Sequence, residues 1–325
     1  MAMDLNPRNT AMWSKLGSRA TYGLAVAEIG KTNEDLMVLT GDTSTSAGLD
    51  RFKKAFPEKF LDVGIAEQNM IGIAAGIASE GTTVITATFA PFQTMRCCEQ
   101  IRVNLGYMGH KVCMVGLASG VVLGTLGYTH CCVEDVAVMR SIPKVDVISP
   151  ADCGETVKAA SAALEHDKSV YIRLTGGTNN PPVYEEDYDF QIGKGVVLRE
   201  GSDVAIIAAG TMVYRSLKAA EKLAEQGISA SVVDMHTIKP IDARLIEQLC
   251  GASKLLVTVE EHSVTGGLGA AVAEVSTTLN KAPPQLFLGL PNVFGMSGAY
   301  QDILDHYGLN EDGIAKRIAT RYQAL

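Results

Sequence analysis

A basic stripe, a long apolar run and a paired-cysteine motif are all missing from this sequence, and each absence removes a class of function. Lys and Arg total 28 against 36 Asp and Glu, a formal net charge of −8. With no clustered Lys/Arg to offset that balance, the electrostatic footprint of a nucleic-acid binder is lacking. No uninterrupted apolar stretch reaches the ~18–20 residues that span a bilayer. The opening MAMDLNPRNTAMWSKLGSRA has no apolar core of a secretory signal. The expectation is a soluble, cytoplasmic protein with no membrane or nucleic-acid partner. The seven cysteines include the neighbours Cys97–Cys98 and Cys131–Cys132 but no CxxC pair and no zinc-type spacing. They read as reduced thiols packed as small apolar groups.

What the sequence does have is alternation. At 325 residues it exceeds the usual domain of roughly 100–200 residues, so two domains are expected. LMVLT (36–40), TVITA (83–87), KVCMVG (111–116), VDVIS (145–149) and SVYIRL (169–174) read as strands. Between them, 67–80 and 152–166 read as helices, the pattern of parallel α/β architecture. The stretch GGTNNPPVYEEDYDFQI (176–192), with glycines, adjacent prolines and an acidic cluster, continues neither. It divides the chain into domains at 1–185 and 186–325. After it come strands at 203–209, 230–234, 254–260 and 285–290, with helices near 211–226, 242–250 and 267–280. The fold class is therefore α/β, with two parallel-sheet domains. The glycine run in VEEHSVTGGLGAAVAE (259–274) has imperfect spacing for a dinucleotide fingerprint, and no nicotinamide role is assigned to it.

Three blocks carry candidate chemistry. DVGIAEQNM (62–70) places Glu67 at the start of an apolar helix, where a carboxylate also interacts favourably with the macrodipole. ATFAPFQTM (87–95) holds Phe89 and Phe92, which alone would read as core residues. GYTHCCVEDVAVMRSIPKVDVISPAD (127–152) contains His130. Together the blocks resemble the pyrimidine-binding domain of the thiamine-diphosphate enzymes: transketolases, deoxyxylulose-phosphate synthases and the beta subunits of 2-oxoacid dehydrogenases. The third block resembles the transketolase run G-x-T-H-x-x-x-E, followed by L-R-x-I-P-N and P-A-D. The resemblance implies the pyrimidine-binding and C-terminal domains of a transketolase.

The same resemblance implies residue roles. Glu67 would hydrogen-bond N1′ of the aminopyrimidine, favouring the imino tautomer that removes the thiazolium C2 proton. An apolar environment around it would help by favouring a protonated carboxyl. Phe89 and Phe92 would wall the aminopyrimidine, with Met95 standing where the family has a tyrosine, and Asp42 would lie near the cofactor. His130 falls on the active-site histidine, suited to proton transfer beside hydroxyl and carbonyl oxygens. Arg19, Ser46 and Arg173 match positions that anchor the substrate's anionic tail.

Two positions depart from the pattern. Leu126 replaces an aspartate that reads the donor's C2 hydroxyl, and Ala118 replaces a histidine near the sugar. Such changes alter which ketose is accepted. Xylulose 5-phosphate, apulose 4-phosphate and sulfofructose all remain open as donors. The G-D-G…N segment that holds Mg²⁺ on the diphosphate is absent, so no metal ligands are assigned to this chain. The resemblance thus implies a heteromer with an N-terminal-type subunit supplying the pyrophosphate-binding domain, two copies of each. The helix after Glu67 (MIGIAAGIA) is a candidate packing surface. Ketol transfer is the expected activity; a 2-oxoacid dehydrogenase beta subunit and a catalytically silent scaffold are the alternatives.

Overall fold

The computed structural model describes residues 3–325. Six strands precede the linker: β1 (Leu36–Thr40), β2 (Phe60–Asp62), β3 (Thr83–Phe89), β4 (Cys113–Leu117), β5 (Val145–Ile148) and β6 (Ser169–Arg173). Six follow it: β7 (Val196–Arg199), β8 (Val204–Ala208), β9 (Ala230–Asp234), β10 (Thr237–Lys239), β11 (Leu255–Ser263) and β12 (Gln285–Leu290). They form a seven-stranded sheet, ordered β10-β5-β6-β4-β3-β1-β2, and a five-stranded sheet, ordered β12-β11-β8-β9-β7. Every pairing is parallel except β10 with β5 and β7 with β9.

The central strands are continuous apolar runs because helices cover both faces of a parallel sheet. β4, β6 and β8 are buried at every residue. The flanking helices Glu67–Ser79, Cys153–Glu165, Met212–Ala224, Ala243–Ala252 and Leu268–Ser276 fall within a few residues of their expected places. Asp152 caps the second of these, its side chain accepting from the Glu155 N–H at 2.8 Å.

Residues 180–190 are extended chain pinned at both sides. Asp152 accepts from the Val183 and Tyr184 N–H groups at 2.6 and 2.9 Å. The stacked rings of Tyr184 and Tyr188, 4.0 Å apart, aim their hydroxyls at Asp234 and Glu155 respectively. Burial raises both carboxyls, Asp234 to about 7 and Glu155 well above its usual range, so the tyrosines bind a proton-holding acidic pair.

The strands before and after the linker form separate sheets with one exchange. β10, from the second half, closes the β5 edge of the first sheet, with Thr237 opposite Ile148 and the Ser149 N–H donating to the His236 carbonyl at 2.7 Å.

Candidate active site

In open α/β sheets, ligand-contacting residues gather at the carboxyl ends of parallel strands. Asp42 follows β1, Glu67 follows β2, Phe89 ends β3, Ala118 follows β4 and Arg173 ends β6. The pairings that place Thr40 beside Asp62 and Ala87, Phe89 beside Leu117, and Gly116 beside Arg173 make these ends neighbours along one rim.

Glu67 is the first residue of its helix and only 3% exposed. A side chain at Gly41 would press on it, since a Cβ there would lie 3.0 Å from Glu67 Cγ. The adjacent turn is held by Asp62, whose Oδ1 accepts from the Asp42 and Gly64 N–H groups at 2.9 and 3.0 Å. Asp42 itself is exposed and takes a positive φ of 58°.

Phe89, Phe92 and His130 form a ring cluster. Phe89 and Phe92 meet edge to face at 6.2 Å, and His130 lies 5.8 and 5.5 Å from them. Thr129 Oγ1 is 3.0 Å from His130 Nδ1, fixing the ring from its other side. Met95 is 42% exposed at the margin.

Sequence reasoning missed Arg96. Its Nη1 donates to both carboxylate oxygens of Glu67, each at 2.8 Å, and its Cζ stands 3.9 Å over the Phe92 ring. Glu67 is therefore ion-paired, which corrects the expectation of a purely apolar environment. The signal available was an arginine directly following the ATFAPFQTM block. Burial, then the neighbouring Glu67 charge, pushes the Cys97 thiol up to about 12, so it stays protonated beside this pair.

The expected substrate anchors separate into two places. Arg19 and Ser46 come together, with Arg19 Nη1 donating to the Ser46 carbonyl at 3.3 Å, and both line a cavity of about 300 Å³ with Thr45 and 176–178. Arg173 is elsewhere and closed off, at 3% exposure. Its Nε donates to Asp135 at 2.8 Å and its Nη2 to the carbonyls of Glu261 and Cys132 at 2.8 and 3.4 Å. Tyr171 donates to the same Asp135 oxygen. Where a substrate anion was expected, the donors of Arg173 go to Asp135, Cys132 and, across the linker, Glu261. Glu261 completes that joint, accepting from the Val121 N–H and from the Thr211 and Tyr300 hydroxyls. Leu126 is 54% exposed, whereas Ala118 is fully buried with a positive φ of 52°.

Residues 14–179 match the transketolase pyrimidine-binding domain and residues 193–314 the transketolase C-terminal domain. The chain belongs to the transketolase family. It is similar to a putative transketolase C-terminal section of Methanocaldococcus jannaschii, 43% identical over 93% of this chain and 95% of that one. It is also similar to one of the subunits of the apulose-4-phosphate transketolase of Phocaeicola vulgatus, 37% identical over 93% and 96%. Among solved structures, a split-gene transketolase described as an inactive β4 tetramer superposes with a TM-score of 0.87 at 39% identity, covering 95% of this chain and 99% of that one. Transketolase membership brings thiamine-diphosphate dependence and ketol-transfer chemistry, and the silent-scaffold and 2-oxoacid dehydrogenase readings are not favoured. Among the described residues no group of three or more His, Cys, Asp and Glu is placed to hold a metal ion, and no helix is long and apolar enough to cross a membrane.

The residues present fit an aminopyrimidine. A buried carboxyl at a helix start can share a proton with the ring nitrogen, Gly41 keeps space beside it, and Phe89 and Phe92, set edge to face, supply an aromatic wall.

Proposed function

We propose that this chain is the pyrimidine-binding and C-terminal subunit of a two-subunit transketolase that moves a two-carbon ketol unit from an anionic ketose to an aldose. Glu67 carries the reading: a buried carboxylate at the rim of the sheet, linked through Arg96 to Phe92, which packs with Phe89 and His130. Glu67 holds the aminopyrimidine N1′ and its proton. Phe89 and Phe92 would form an aromatic wall for the ring with Met95 at its margin, and Asp42 would lie in the adjoining turn. Bound thiamine diphosphate supplies the carbanion-stabilising thiazolium, while the protein positions it and moves protons. His130, held by Thr129 and backed by two phenyl rings, transfers protons to and from substrate oxygens. Arg19 and Ser46 line the cavity that receives the substrate's phosphate or sulfonate.

The remaining half of the site belongs to an N-terminal-type partner, which holds the diphosphate and Mg²⁺. Support comes from the missing G-D-G…N run and from relatives that are themselves sections or subunits of the enzyme. A heterotetramer with two copies of each chain is the expected assembly. The decisive assay combines this chain with such a partner, Mg²⁺, thiamine diphosphate and a panel of donors including xylulose 5-phosphate, apulose 4-phosphate and sulfofructose. Turnover should need both chains and should disappear in Glu67→Ala. Robust turnover by this chain alone would remove the split-site claim, and unchanged turnover in Glu67→Ala would remove the cofactor role.

A further inference from the structure

Arg96 satisfies at once the two requirements that the site makes of a cofactor ring. It directs an N–H donor at the Glu67 carboxylate, 2.8 Å from each oxygen, and it lays a flat delocalised group on Phe92, 3.9 Å from the ring centroid. A guanidinium is planar and stacks on aromatic faces, so it matches an aminopyrimidine in shape and, in donor character, the form of that ring whose N1′ carries the proton shared with Glu67. Phe92 is contacted on that face at van der Waals distance, and both Glu67 oxygens are engaged by one nitrogen. A second planar group cannot lie on the same face of Phe92, and a second donor would have to share the Glu67 oxygens with Arg96.

The two partners differ in freedom. Glu67 is 3% exposed, whereas the Arg96 side chain is 39% exposed. The main chain of Arg96 is held by Gln68, whose Nε2 donates to its carbonyl at 2.9 Å. Rotation of the side chain toward solvent therefore frees Glu67 and Phe92 without moving the backbone. Pairing with Arg96 also spares the buried carboxylate an uncompensated charge until another donor takes it over.

We propose that Arg96 is an internal competitor of the aminopyrimidine, a gate whose release from Glu67 and Phe92 precedes seating of the cofactor. The proposal rests on the reading of Glu67 as the cofactor's acceptor. Its consequence is kinetic and thermodynamic. Apparent affinity is reduced by the fraction of chains in which Arg96 has swung away, and the observed binding rate levels off at high cofactor because release comes first.

The test uses the complex reconstituted with its N-terminal-type partner and Mg²⁺. Thiamine diphosphate affinity is measured by calorimetric titration, and binding rates by stopped flow across a range of cofactor concentrations. Arg96→Gln should tighten binding about tenfold or more, ~1.4 kcal/mol per tenfold, and make the rate rise linearly with cofactor. Arg96→Lys, which keeps the charge but loses the stacked plane, should fall between Arg96→Gln and wild type, and it decides by the same readouts where Arg96→Gln does not assemble. Unchanged or weakened binding in both variants, with the levelling-off retained, overturns the gate. Glu67→Gln separates the two claims. Impaired turnover in Glu67→Gln beside unaltered binding in the Arg96 variants sinks the gate alone; full affinity and turnover in Glu67→Gln sinks the acceptor reading and the gate with it.

Discussion

Replacing Arg173 tests whether this residue joins domains or grips substrate, because the two roles predict different observables. Arg173 and Asp135 are 3% and 0% exposed and pair at 2.8 Å. Truncation to Met removes the cation, leaves the carboxylate with the Tyr171 hydroxyl as its remaining side-chain donor, and strips the Glu261 and Cys132 carbonyls of their guanidinium contacts. Breaking a buried pair from one side costs ~3–5 kcal/mol, most of it the uncompensated charge. At about 2 °C per kcal/mol for a chain of this size, the thermal midpoint should fall by ~6–10 °C. Arg173→Met/Asp135→Asn removes the charge while keeping an acceptor for Tyr171, and it should recover more than half of that loss. The assay is thermal unfolding of the single and double variants alongside KM in the reconstituted complex. A midpoint within about 1 °C of wild type, together with a raised KM for phosphorylated donors, would refute the structural assignment and restore Arg173 as an anion anchor.

Further expectations concern protonation, space and charge. Burial holds Asp234 at about 7, so between roughly pH 4 and pH 7 the folded chain keeps a proton that the unfolded chain gives up, and this contribution to stability declines as pH rises through that window. Asp234→Asn should gain stability relative to wild type on going from pH 5 to pH 8 in urea titrations; a constant difference would count against the buried acidic pair. Gly41→Val should push Glu67 out of position and lower turnover by up to about a hundredfold, with the unfolding midpoint down by ~2–6 °C from overpacking. Arg19→Ala should raise KM for anionic donors ~10–100-fold, the scale of one charged hydrogen bond, while leaving kcat and uncharged donors nearly unaffected. Equal KM effects on charged and uncharged donors would remove Arg19 from the anion site.

Nine strands were legible because each is an apolar, β-branched run long enough to stand out, and those at 36–40, 230–234 and 285–290 coincide with the observed limits. β2, β7 and β10 were not. Each has three or four residues and lies at a sheet edge, too short to leave a period to read. Glu67, Phe89, Phe92 and His130 could be named as motif members, and the last three meet in one ring cluster. Arg96 was not, since its role depends on a turn returning the chain toward Glu67, which no spacing rule encodes. Arg173 matched a family position by sequence, but its donors are taken by Asp135 and Cys132 before the linker and by Glu261 beyond it.

The exchange of β10 into the first sheet has a consequence for how the chain is made. Residues 1–185 emerge from the ribosome with β5 lacking its outer neighbour, so the backbone groups that later pair with Thr237–Lys239 stand open as a sticky rim. Synthesis must run through β7, β8 and β9 before that rim is sealed. A fragment cut at the linker would keep the candidate cofactor residues yet expose this edge, and it should aggregate through β5, a contact that β10 blocks in the full chain. The second half of the protein thus acts as a chaperone for the first, contributing a three-residue cap from a domain whose own sheet carries none of the candidate cofactor contacts.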